Sequence, residues 1–418
     1  MAITRRVFLK NGALAVVGTT LVPSFLTRAV YAAETTGAGK KRLVVLFQRG
    51  AADGLNIVVP HGEAAYYAMR PSIAIPRPRA GEGVIDLDGF FGLHPSMSAF
   101  KPLWDAKHLA IVHAAGSPDN TRSHFDAQDY MESGTPGVKS TEDGWLNRAL
   151  SGIQEDKPSP FRALAMGGAL PRTLSGSIPA VAMSNIREFG VGGNGPAGNA
   201  ASNTFEAMYA QSVDTVLHGT GNETFEAVKM LKAADPAKYT PATNANYPRG
   251  RFGDSLRQVA QLIKANLGVE VAFADIGGWD HHVNEGSVQG QIANLTGEFA
   301  QSIAAFWTDL GDLAESTVIV TMSEFGRTAR ENGTRGTDHG HANVMFVLGG
   351  PVQGGKVYGQ WPGLQQEHLY EGRDLAVTTD FRQVLGEAVA RHVGNVDLEK
   401  VFPGFTRNSP KYFLNYLG

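Results

Sequence analysis

The chain reads as an α/β domain built on a mainly parallel central sheet flanked by helices. Three observations predict it: short unbroken apolar runs bounded by charge or glycine, helical patterns lying between them, and clusters of ionisable residues against their ends. Unbroken runs, rather than alternating ones, suit strands covered on both faces. With 418 residues, 43% of them hydrophobic, the chain can bury one large core.

The N-terminus comes first. "TRRVFLK" carries Arg5 and Arg6, followed by the mildly apolar "GALAVVGTTLVPSFL" and the small residues of "AVYAAE". This is the pattern of a twin-arginine export signal over residues 1–32, cleaved after Ala32 with Val30 and Ala32 in the small-residue positions. Gly, Thr and Pro interrupt the apolar stretch, so no stable membrane anchor is expected. The expectation is a periplasmic or secreted protein, with the twin-arginine translocase as its partner during export. Residues 33–418 then form a single domain.

Within that domain, Leu43–Phe47 of "KRLVVLFQRG" is the first buried strand, and "PSMSAFKPLWDA" from Pro95 is helical. "HLAIVHAAG" (His108–Gly116) is the second strand, followed by a helix beginning near Arg122. Residues 190–248 differ in texture, being rich in Gly, Asn and Ala with weakly amphipathic helices, and read as an inserted cap-like region or an inert linker. A helix from Gly250, a strand within Gly268–Gly278, a long helix from about Val288 to Leu313, and strands within Ser316–Gly326 and Asn343–Gly350 follow. In the tail, Thr379 and Asp380 offer an N-cap to a helix whose apolar face is Phe381, Val384, Leu385 and Ala388.

Composition excludes several functions. Thirty-seven Lys and Arg against 40 Asp and Glu, with no long basic stripe, argue against nucleic acid. The absence of cysteine excludes disulfides, thiolate metal sites and a cysteine nucleophile.

The chemistry gathers beside the strands. After the first comes Asp53, by itself an ordinary turn aspartate. "DIGGWDHH" supplies Asp280 and His282, able to converge on one ion if their side chains project together. "SEFGRT" places Glu324 at a strand end, as a metal ligand or as a partner of Arg327, whose guanidinium otherwise suits phosphate or sulfate oxygens. "TDHGH" offers Asp338, His339 and His341 in four positions. In "VHAAGSPDNTRSHFDAQ", Ser123 stands at a helix start where main-chain N–H groups favour an anion, as a nucleophile or merely within the first turn of a helix capped by Asn120 or Thr121. Arg122, His124 and His113 are anion-binding and proton-transfer candidates.

Together with the signal, "LFQRGAADGLNIVVP", "GLHPSMSAFKPLW", "TRSHFDAQDYMESG", "GGWDHH", "VTMSEFGRT" and "TDHGHANVMFVLGG" resemble a twin-arginine-exported bacterial family known as domain of unknown function "fifteen-oh-one". That family is similar to the alkaline phosphatase and sulfatase superfamily. The resemblance implies an alkaline phosphatase/sulfatase-like fold and one or two divalent cations, two being preferred. Zinc or manganese is favoured over calcium or magnesium. It implies Asp53 as the first metal-binding acid, Ser123 as nucleophile with Thr121 second, Asp280 and His282 as ligands, and His339 or His341 as the last histidine, just before a sheet-edge strand. Ser323 and Glu324 replace the family's usual Asp-His pair. The implied function is metal-dependent hydrolysis of a small-molecule or glycan phosphate or sulfate ester. The rival is an exported binding or assembly protein that keeps the fold without the chemistry.

Overall fold

The long apolar runs all become strands, and short strands that carry no pattern of their own extend the sheet on both sides. The computed structural model describes residues 7–10, 13–16, 40–79, 82–153, 158–186, 227–231, 238–394, 396–406 and 410–418. The main sheet contains β1 (Arg42–Gln48), β2 (Leu109–Gly116), β3 (Ala163–Met166), β4 (Val181–Met183), β5 (Val271–Ile276), β6 (Thr317–Ser323), β7 (Asn343–Gly349), β8 (Lys356–Tyr358) and β9 (Thr379–Asp380). Their spatial order is β8-β2-β7-β6-β1-β5-β3-β4, with β9 pairing separately with β2. Every pairing among these is parallel except those of β7, which runs antiparallel to both β6 and β2.

β7 corrects one expectation. It lies inside the sheet rather than at its edge, fully buried between β6 and β2. Its reversal has a consequence for the polar clusters. The N-terminal end of an antiparallel strand lies at the same sheet edge as the C-terminal ends of its parallel neighbours. The residues that precede β7 therefore meet those that follow β1, β2, β5 and β6.

Strand geometry divides the core in two. Successive side chains point to opposite faces, so Val44 and Leu46 of β1 enter one apolar cluster while Leu43, Val45 and Phe47 enter the other. Six helices matter to the argument: α1 (Gly54–Ile57), α2 (His124–Ser133), α3 (Trp145–Ser151), α4 (Arg251–Lys264), α5 (Gln291–Leu310) and α6 (Phe381–Glu387). The first face is covered by α4, through Phe252, Leu256, Val259 and Ile263, and by α5, through Ile292, Phe299, Ile303 and Phe306. On the second lie Trp145, Leu146 and Leu150 of α3 with Phe381, Val384 and Leu385 of α6. Each such side chain contributes about 1.5–3 kcal/mol of transfer free energy. α6 begins as its sequence requires: Asp380 is the N-cap and forms a reciprocal capping box with Gln383.

The helix foreseen from Arg122 starts two residues later. Ser123 is its N-cap, accepting from the Asp126 N–H at 3.4 Å, and Gly134 ends it in the left-handed conformation with φ 70°. "PSMSAFKPLWDA" forms a 3-10 segment, Pro95–Phe100, that runs into a short α-helix, Lys101–Asp105.

Of the expected export signal, only Val7–Lys10 and Ala13–Val16 are described, as a short antiparallel pair. Arg5, Arg6 and the expected cleavage site lie outside the described residues, as do most of residues 190–248, expected to form a cap-like insertion. Among the described residues, no helix is long and apolar enough to cross a membrane.

Candidate metal centre

Four loops and the first turn of α2 meet at the C-terminal edge of β1, β5 and β6. Their approach is close enough to require glycine. Gly50, at φ 114°, follows β1, and a Cβ there would lie 2.8 Å from the Asp280 nitrogen. A Cβ on Gly340 would come within 2.3 Å of the Arg327 carbonyl carbon. Beyond β6 the chain continues to pair with the segment ahead of β7: Gly326 N–H to His341 O at 2.9 Å, Gly340 N–H to Gly326 O at 2.8 Å, and Thr328 N–H to Asp338 O at 3.0 Å. That ladder fixes the side on which His339 projects.

At the centre, ligand atoms of His124, Asp280 and His339 all lie within 4.8 Å of one another. His282 joins them, its Nε2 3.0 Å from His339 Nε2 and 3.0 Å from Asp280 Oδ1. His339 Nε2 is 3.3 Å from the same Oδ1, and His124 Nε2 is 3.5 Å from Asp280 Oδ2. Each ring is held from behind through its other nitrogen. His339 Nδ1 faces the Arg122 carbonyl at 2.9 Å, His282 Nδ1 faces Asp338 Oδ1 at 3.2 Å, and His124 Nδ1 faces Glu324 Oε1 at 2.8 Å. The partners of His339 and His124 are acceptors, so each of those rings, when neutral, carries its proton on Nδ1 and turns an Nε2 lone pair towards Asp280, whereas His282 has an acceptor at both nitrogens. Phe325 packs on the His124 and His339 rings, at centroid distances of 5.1 and 5.0 Å.

The carboxylates stay charged for identifiable reasons. At Asp280 burial opposes ionisation, but hydrogen bonding and charge from Arg327, helped by His282 and His124, hold the group down at about 2. At Glu324 burial is again outweighed, here by hydrogen bonds from His124, Gln128 and the Gly50 N–H. Asp338 is lowered against its burial by Asn332 and His282. His124 is raised by its hydrogen bond to Glu324, whereas burial lowers His339. The cluster is open to solvent on one side, Asp280 being 46% and His282 39% exposed.

Asp53 stands outside this cluster. It caps α1 through the Leu55 N–H and is held by both terminal nitrogens of Arg70, which is itself fully buried. Glu285 lies against the same pair. Burial and the adjacent Asp53 charge push its carboxyl well above the usual range, while Arg70 outweighs burial to hold Asp53 below it. Burying two carboxyl groups around one guanidinium is tolerable only in this form. Arg70 and Glu285 have no motif around them, and the sequence reading passed over both.

Arg327 is not poised for a substrate. Its side chain has no exposed surface, and it donates to the carbonyls of Gly50, Ala51, Trp279 and Thr337 as well as to Asp280 Oδ1 at 2.6 Å. Arg122 is paired with Glu371 and Asp374, both at 2.7 Å. His113 is a core histidine: its Nε2 meets the Val58 carbonyl at 2.9 Å and its ring packs on Phe91 and Trp361. His341 points away from the cluster, with Nε2 on the Ser117 carbonyl at 3.1 Å and its ring against Tyr370. Thr121 accepts from the Ser123 N–H at 3.2 Å, within the turn that leads into α2. Gln128, missed in the sequence, donates to Glu324 at 2.8 Å from the second turn of α2. Its position four residues after His124 was the available signal.

No curated protein matches the chain. Among solved structures it is similar to the PsFucS1 sulfatase from Pseudoalteromonas sp., at 14% identity over 94% of this chain and 76% of that one, with a TM-score of 0.39. It is also similar to the phosphonate monoester hydrolase of Agrobacterium radiobacter, at 9% identity over 87% and 77%, with a TM-score of 0.33. The alkaline phosphatase from the Antarctic bacterium TAB5 follows, at 10% identity over 75% and 92%, with a TM-score of 0.28. Likenesses of that strength transfer no chemistry. The family profile described as a protein of unknown function, DUF1501, matches residues 40–402, and the chain belongs to that family.

Proposed function

We propose that this chain is an exported hydrolase of phosphate or sulfate esters that works with one divalent cation held by His124, Asp280, His282 and His339. A single observation carries the metal reading. Three imidazole Nε2 atoms converge on an ionised Asp280 carboxylate, two of them facing each other at 3.0 Å and the third, on His124, buried without a hydrogen-bond partner. Nitrogens so placed share a proton or a metal ion, and three of them around one carboxylate match the ligand set of a metal.

Three imidazoles and one carboxylate suit zinc or manganese better than calcium or magnesium. One ion, rather than the two preferred from sequence, follows from Asp53 being neutralised by Arg70 and Glu324 being engaged by three donors on Oε1. Bound there, a divalent cation supplies Lewis-acid polarisation of an ester oxygen. The chain supplies the rest. Ser123, adjacent to His124 and at the N-terminus of the ten-residue α2, presents a hydroxyl where main-chain N–H groups and the helix dipole favour an anion. It is the nucleophile of this reading, with Thr121 second. The main chain at Arg122 anchors His339, which couples nucleophile and ligand positions through one peptide. Export rests on the Arg5–Arg6 pattern and its cleavage site.

One observation favours the rival reading, an exported protein that holds the ion without turnover: Ser123 Oγ is engaged as the cap of its own helix. Elemental analysis of the purified full chain, joined to a screen of phosphate monoesters, diesters and sulfate esters, separates the two. The expected result is about one equivalent of metal and hydrolysis that Ser123→Ala abolishes. Metal without hydrolysis selects the binding protein, and metal-free protein sinks both. Fractionation of the producing cells places the chain outside the cytoplasm if the arginine pair is read.

A further inference from the structure

We infer that Glu324 is a positioning residue that acts through His124, and is not itself a ligand of the ion; this rests on the metal reading above. Glu324 is 1% exposed and clamped from several elements at once. Its Oε1 accepts from the Gly50 N–H, from Gln128 Nε2 and from His124 Nδ1, each at 2.8 Å. Ser323 Oγ lies 3.1 Å from Oε2 and 2.8 Å from the Gln48 carbonyl, with one proton to serve the two acceptors. Gln128 is fixed from its other end by Arg49 at 2.9 Å, and Arg49 is tied to Asp275 at 2.7 Å and to Glu132 at 2.9 Å. The carboxylate is thus built into the end of the sheet, with the His124 ring standing between it and Asp280.

This arrangement settles which nitrogen of His124 is available. A neutral imidazole without a partner divides its proton between its two nitrogens. A fixed carboxylate on Nδ1 holds the proton there and makes Nε2 a better donor to a cation. His124 Nε2 is buried with no hydrogen-bond partner of its own, as a nitrogen reserved for an ion would be.

The test is a titration of the chelator-stripped full chain with cobalt(II), followed by calorimetry and by the visible absorption of the bound ion. Glu324→Gln should bind cobalt about 10–100-fold more weakly, yet give the same band positions at saturation, because the ligand set is unchanged. Added to His124→Ala, the same substitution should change affinity less than about twofold, because its effect passes through His124. Displaced bands at saturation would make Glu324 a ligand. An unchanged affinity, or an undiminished loss in the His124→Ala background, would equally overturn the inference. Should Glu324→Gln not fold, Gln128→Ala reads the same coupling from the half-buried side of the clamp, with a smaller loss expected. If the unmutated chain takes up no cobalt, or His282→Ala binds it as well as the unmutated chain does, the metal reading itself fails, a result distinct from the others.

Discussion

His339 and His341 stand two positions apart in an extended segment, yet they do different work. The segment bends at His341, which places His339 in the cluster with His124 and Asp280 and seats His341 under Tyr370, with its Nε2 on the Ser117 carbonyl. His339→Ala should therefore weaken metal binding by more than the roughly 100-fold that marks the loss of an outer-shell partner. His341→Ala should leave metal affinity nearly intact. It should lower stability by about 1–3 kcal/mol, since a buried carbonyl loses its donor. Calorimetric titration with zinc and a thermal melt of each variant read the two effects, and the reverse pattern would refute the assignment. Composition at this scale was legible, as "TDHGH" and "GGWDHH" announced ligand types. Individual roles were not, because a carboxylate such as Asp53 looks alike in sequence whether it meets an ion or the buried guanidinium of Arg70, 17 residues on.

At the scale of elements, the five long strands could be read because each is a run of buried apolar side chains longer than any turn. β3, β4, β8 and β9 have two to four residues each, too few for a period to show. Direction was also illegible, since an apolar run carries no arrow, and so the reversal of β7 went unseen. That reversal brings "TDHGH" to the site, and the ladder between residues 326–328 and 338–341 holds it there. Gly340→Ala tests the ladder. On entropy alone the change would stabilise by about 0.4–1 kcal/mol. Here the new methyl would lie 2.3 Å from the Arg327 carbonyl carbon, with backbone rather than a flexible side chain in its way. The expected net effect is a loss of about 1–3 kcal/mol, together with weaker metal binding. Denaturant midpoints and a zinc titration check both, and an unchanged or raised midpoint would show the ladder to be looser than described.

Across the whole molecule, three histidines away from the candidate metal centre tie separate parts of the fold together and do so uncharged. His94 accepts from the Ser96 N–H and meets the Ser287 carbonyl, His113 joins β2 to Val58, and His392 bonds the Arg42 carbonyl at the start of β1. Burial lowers each to about 4. In the unfolded chain the same groups titrate near 6.5. Between those two values the unfolded state binds a proton that the fold excludes, so stability rises with pH through this window. It is complete above about 6.5 and is lost as pH falls towards 4. Each histidine accounts for about 1.4 kcal/mol per pH unit, and the three together for about 4 kcal/mol per unit. Glu285, whose carboxyl is raised in the fold by burial and the Asp53 charge, works in the opposite sense as pH rises above its unfolded value near 4.5. Denaturant unfolding of the full chain at pH 7, 6 and 5, with chelator present to silence the metal centre, measures the slope. His392→Gln, which keeps a donor for the Arg42 carbonyl and cannot titrate, should lower it by about 1.4 kcal/mol per pH unit. A stability that stays flat between pH 6.5 and 5 would mean that the fold admits these protons, and that the three links are not held by neutral imidazoles.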